Sequence, residues 1–65
     1  MQKEAKAATL ANTIEGWGHG EEEARKAAES FMAGLTEEQM TLAVSVAATA
    51  ESYDEFRRNF EAALN

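Results

Sequence analysis

The sequence predicts an all-α fold: a small bundle of four short helices, or three with a bent C-terminal helix, around a central apolar third helix. Three observations carry that expectation. Apolar residues recur at three- and four-residue spacing in four segments, and no stretch alternates apolar and polar long enough for a strand. Fourteen of the 65 residues are alanine, the best helix former, and proline is absent. The four glycines fall at two places only, 16–20 and 34, between apolar stretches.

The first helix is expected over residues 2–15. Ala7, Leu10, Ile14 and Trp17 lie at i, i+3, i+7 and i+10 with Ala11 beside them, which makes one apolar stripe. Gly16 is the expected stop, because glycine takes the left-handed conformation at a helix end without a Cβ penalty. Gly16, Gly18 and Gly20 then give a sharply bent connection around Trp17 and His19. The second helix opens with Glu21, Glu22 and Glu23, three carboxylates facing the positive end of the helix dipole. Its inward face is Ala24, Ala27, Ala28, Phe31 and Met32, and Gly34 ends it.

The third helix is expected to start at Glu37. Thr36 is a good N-cap and Gln39 stands three residues on, a capping box, with Leu35 and Met40 placed for a hydrophobic staple. Met40, Leu42, Ala43, Val44, Val46, Ala47, Ala48 and Ala50 go nearly all round this helix, so burial on every side is the expectation. Ser52 and Glu55 suggest a second box before a fourth helix. Tyr53, Phe56, Phe60 and Leu64 share one face of it, with Ala63 alongside. Nothing at Glu51 and Ser52 forbids the third and fourth helices from being one bent rod.

Length allows one domain, taken as residues 1–65. Without cysteine there are no disulfides, thiolate metal sites or cysteine nucleophiles. No apolar run reaches the ~20 residues of a membrane span and no signal-peptide apolar region leads the chain. A cytoplasmic protein is expected. Six Lys and Arg against twelve Asp and Glu give a formal charge of −6, which disfavours broad binding to nucleic acid or anionic membranes. Surface scaling gives a folded surface of roughly 4,100 Å² and about 6,200 Å² buried. At about 60% apolar, that burial contributes ~93 kcal/mol. Ordering the residues costs ~98 kcal/mol, so a lone chain balances near zero. With an all-round apolar third helix, this predicts a homodimer or higher oligomer.

Chemistry is sparse. His19 is the single histidine, and with Glu15, Glu22 or Glu23 it lacks a defined metal-ligand spacing. It is also the single imidazole for nine Ser, Thr and Tyr hydroxyls, several of them placed as caps. Neither an enzyme nor a metal or other cofactor is expected. A phosphate loop would need lysine after its glycines, where this chain has three glutamates. Thr41, Ser45, Thr49 and Ser52 form a small-residue stripe, read as a solvent-facing side or a close helix contact. Arg25–Lys26 and Arg57–Arg58 have Glu22, Glu29, Asp54 and Glu61 within helical pairing distance.

Gly34-Leu35-Thr36-Glu37-Glu38-Gln39 leading into Ala43 resembles the opening of a helix-turn-helix unit of the repressor type, over about twenty residues. That family normally carries a glycine turn four residues after the alanine, where this chain has Ala47. The resemblance implies a DNA-binding regulator with a recognition helix near Tyr53. Asp54 and Glu55 would then face phosphates, and Arg57 and Arg58 would have to supply the groove contact.

The favoured expectation is a protein–protein interaction module: a small acidic regulator, inhibitor or adaptor. Its partner would be larger and basic, including one whose groove normally holds nucleic acid. The residues expected to meet that partner are Glu21, Glu22 and Glu23, with Trp17 where the loop leaves it uncovered.

Overall fold

Four helices form where the periodicity places them: α1 (Gln2–Gly16), α2 (Glu21–Met32), α3 (Glu37–Thr49) and α4 (Tyr53–Leu64). A computed structural model describes the backbone of residues 2–64 and the side chains of residues 5–64. No strand occurs among the described residues.

The local hydrogen bonds explain the boundaries. Thr36 Oγ1 accepts from the Gln39 N–H at 3.1 Å, and the Thr36 N–H donates back to Gln39 Oε1 at 3.0 Å, closing the expected box. At Ser52 the pattern shifts by one residue. Ser52 Oγ accepts from the Glu55 N–H at 3.2 Å, but the Glu55 carboxylate takes the N–H of Glu51, at 2.8 Å, rather than that of the cap. Ala50, extended at φ −84 and ψ 154, ends α3, so α3 and α4 are separate helices rather than one bent rod.

The glycine expectation needs one correction. α1 runs through Gly16, and the left-handed residue is Gly18, at φ +103. The Trp17 and Gly18 N–H groups bond to the Ile14 and Glu15 carbonyls, both at 3.0 Å, so a tightened turn keeps Gly16 in the helix and closes it at Gly18. Gly34 takes φ +84 after an extended Ala33 (φ −61, ψ 129), and the Leu35 N–H reaches the Met32 carbonyl at 3.1 Å. Those angles and that bond make a type II turn, which requires a positive φ at its third residue.

α1 packs against α2 and α3, and α3 packs in turn against α4. Leu10, Ile14, Ala24, Ala28, Met32, Met40, Ala43, Ala47, Phe56 and Phe60 make one buried core. Alanine supplies four of these ten residues, which lets the helices approach closely. Aromatics fill the wider end. Phe31 of α2 meets Phe56 and Phe60 of α4 at ring-centroid distances of 4.8 and 5.1 Å. No polar or charged side chain is buried among the described residues.

α3 keeps its central place between α1 and α4, but it is not wrapped on every side. Only Met40, Ala43 and Ala47 are fully buried. Leu42, Val44, Val46 and Ala50 are half-buried, while Thr41, Ser45, Ala48 and Thr49 are exposed. The reason is packing: α1 and α4 make most of the contact with α3, and two neighbours cannot surround a helix. Leu64, expected on the inner face of α4, is 47% exposed, and Ala63 is exposed as well. The accessible surface of 4319 Å² is close to the sequence expectation. The Cα radius of gyration, 10.5 Å, matches the ~10.7 Å of a compact chain of this length. Of the two grounds for expecting an oligomer, the all-round burial of α3 is not found, while the near-zero area balance is left as it was.

Candidate acidic groove

The connection 17–20 is four residues long, so the carboxyl end of α1 and the amino end of α2 share one edge of the molecule. That edge holds a surface groove of about 470 Å³ lined by Ala8, Ala11, Asn12, Glu15, Glu21, Glu22 and Arg25. The alanines leave the space: a long side chain at Ala8 or Ala11 would fill it. Glu15, Glu21 and Glu22 supply three negative charges to the groove and Arg25 one positive charge. Arg25 lies 3.9 Å from Glu22, and Lys26 reaches the same carboxylate at 4.0 Å. The amino end of α2 contributes roughly half a positive charge. Three carboxylates outweigh that together with the guanidinium, and the groove is net negative.

The fold divides the residues that the sequence singled out. Glu21 and Glu22 enter the groove and Glu23 does not. Glu23 projects to the other side of α2, where its Oε1 lies 3.5 Å from His19 Nδ1. Trp17 turns inward. It is half-buried, its Nε1–H donates to the Ala50 carbonyl at 3.3 Å, and its ring meets Tyr53 and Phe56 at 6.4 and 6.0 Å. Trp17 is thus engaged by the chain itself. Glu15 is the groove residue that the partner-binding expectation omitted. Its signal was available, since Glu15 and Glu21 flank a glycine-rich bend that must return the chain close to its starting point.

Arg57 and Arg58 sit elsewhere, on the exposed side of α4. With Asp54 and Glu61 they line a shallow depression of about 370 Å³ whose charges cancel. Among the described residues neither arginine has a carboxylate within 4.0 Å, so the helical pairing expected there does not form, whereas the pairing at Glu22 does. The stretch from Ala43 to Ala47 is uninterrupted helix, and the turn between α3 and α4 falls at 50–52.

The hydroxyls serve the backbone. Those of Thr9, Thr13 and Thr41 donate to carbonyls four residues earlier at 3.0–3.1 Å, and that of Thr49 to one three residues earlier at 3.1 Å. No group of three or more His, Asp or Glu side chains able to hold a metal is present among the described residues. Among the described residues no helix is long and apolar enough to cross a membrane. Comparison with known protein families, curated proteins and solved structures returns no match.

Proposed function

We propose that the chain is a small acidic protein–protein interaction module that regulates, inhibits or adapts a larger partner by presenting the α1–α2 groove to a basic surface. The observation that supports this reading is the convergence of Glu15, Glu21 and Glu22 on one alanine-floored groove of a chain with charge −6. Complementary charge accelerates encounter and fixes register, while the exposed alanine floor offers contact area for an alkyl stem. No catalytic step and no cofactor enters the reading. A cytoplasmic setting belongs to it as an expectation.

Self-association belongs to the reading as a concentration-dependent property. Its support is the exposed small-residue flank of α3, where Thr41, Val44 and Ser45 meet Ala5, Lys6 and Thr9 around a shallow 240 Å³ groove. The DNA-binding alternative has less support. Residues in the first turn of α4, where a recognition helix reads bases, are Asp54 and Glu55.

The test is binding of a lysine- and arginine-rich peptide, and of duplex DNA, at low and moderate salt. Peptide binding that weakens with salt, and weakens again in Glu21→Lys/Glu22→Lys, supports the reading. Absence of any peptide binding at low salt overturns it. A DNA mobility shift that vanishes in Arg57→Ala/Arg58→Ala establishes the alternative.

A further inference from the structure

A second recess lies across α2 from the groove, between the α1–α2 connection and the start of α4. Its volume is about 160 Å³, and Ile14, His19, Glu23, Ala27 and Tyr53 line it. Ile14 and Ala27 make an apolar floor, and Tyr53 is half-buried at its side. The rim is polar: Glu23 Oε1 stands 3.5 Å from His19 Nδ1, and the His19 ring meets the Tyr53 ring edge-on at 6.4 Å. Glu22 takes both neighbouring cations, Arg25 and Lys26, while among the described residues Glu23 has no lysine or arginine within 4.0 Å. An apolar floor, two aromatic rings and one carboxylate without a cationic side chain form a recess the size of one long side chain.

We infer that this recess seats a single arginine of the basic protein partner, and the inference rests on the interaction reading above. Three features select the occupant. The floor suits an alkyl stem, which is more comfortable on Ile14 and Ala27 than in water. The carboxylate at the rim suits a cation and repels a phosphate or a carboxylate. A planar guanidinium can stack on the face of one of the two near-perpendicular rings, Tyr53 or His19, while it forks onto the Glu23 carboxylate, which a compact ammonium does not match. The recess and the groove flank the same end of α2, so one basic segment crossing that end meets Glu21 and Glu22 on one side and the arginine seat on the other.

The experiment is an NMR titration of the whole chain with Nα-acetyl-arginine amide, and in parallel with Nα-acetyl-lysine amide, at low salt. Saturable shifts centred on His19, Glu23, Ala27 and Tyr53, with arginine bound about threefold more tightly than lysine, are the expected result. Glu23→Gln, an exposed change that leaves the core untouched, weakens arginine binding about fivefold. Ala27→Leu fills the floor and abolishes it, with the helical spectrum showing that this variant folds. Glu29→Gln, an exposed carboxylate of α2 that lines neither the groove nor the recess, leaves it within about twofold of the parent. Equal binding of lysine and arginine, shifts spread evenly over the acidic surface, or indifference to Glu23→Gln each overturn the arginine seat. An arginine-containing peptide that binds Glu23→Gln and Ala27→Leu as tightly as the parent, and still in a salt-dependent way, removes the seat and leaves the groove reading standing. Failure of that peptide to bind the parent chain removes the reading itself.

Discussion

The indole nitrogen of Trp17 donates to the carbonyl of Ala50 across 3.3 Å, joining the turn after α1 to the turn after α3. The two residues are 33 positions apart in sequence. The bond closes the end of the bundle where Tyr53 and Phe56 also meet the Trp17 ring. Ala50 is extended at the end of α3, so its carbonyl is free of the helix and available to a side chain. Replacing Trp17 by Phe retains a ring and removes the N–H, with an expected loss of about 1 kcal/mol. Trp17→Ala removes the ring as well, and about 3 kcal/mol is expected. Urea unfolding followed by circular dichroism distinguishes the two, and equal losses would show that the hydrogen bond contributes nothing.

Phe56 is the hub of the aromatic cluster. It is fully buried and touches Trp17, Phe31, Tyr53 and Phe60. Phe56→Ala is expected to cost about 3–5 kcal/mol. That equals the whole stability of about 3–5 kcal/mol that a core of this size supplies. The variant should therefore be largely unfolded at 25 °C by circular dichroism. Leu64→Ala, at an exposed site, should change stability by less than about 0.5 kcal/mol. A folded Phe56→Ala chain would contradict the placement of the core.

The glycines give a pair of opposite signs. Gly16 is helical and a Cβ there meets nothing within 4 Å, so Gly16→Ala should stabilise by about 0.5 kcal/mol. Gly18 has equal space but φ +103, and Gly18→Ala should cost about 1 kcal/mol or more through backbone strain. Thermal melts of the two variants read the difference directly, since 1 kcal/mol shifts the midpoint of so small a domain by about 4–8 °C. Destabilisation by Gly16→Ala would mean that Gly16 is not helical and that α1 stops at Glu15.

Thr36→Ala removes the side-chain half of the only reciprocal cap among the described residues, and about 1 kcal/mol is the expected loss. Gln39→Ala removes the other half and should cost less, because the Thr36 N–H is exposed and water can replace its partner. Chemical denaturation of the two single variants and the double variant measures their coupling. Fully additive losses would mean that the two bonds form independently.

Light scattering over a concentration series measures the particle mass. With the core closed inside one chain, a 7.1 kDa species is expected at low micromolar concentration, with any dimer appearing only as concentration rises. A dimer that persists on dilution to the nanomolar range would mean that the half-buried flank of α3 is covered in solution.

The sequence by itself determined the all-helical class, the starts of α2 and α3 to the residue, and the reciprocal capping box at Thr36; that α3 and α4 are separate helices was left to the structure. Those features rest on hydrogen bonds and dihedral preferences within five residues, so the letters at 34–39 carry the box in full, whereas at 52–55 only the Ser52 half forms as expected. It could not settle which faces are buried. Val44, Ala48 and Met40 look alike as apolar letters, yet one is half-buried, one exposed and one buried, because burial depends on which other helices lie against α3. Tertiary structure alone joined Glu15 to Glu21 and Glu22, turned Glu23 to the opposite side and directed the Trp17 N–H onto Ala50. Each is a relation between separate helices or turns. It is fixed by the summed packing of the whole core, which no local pattern encodes.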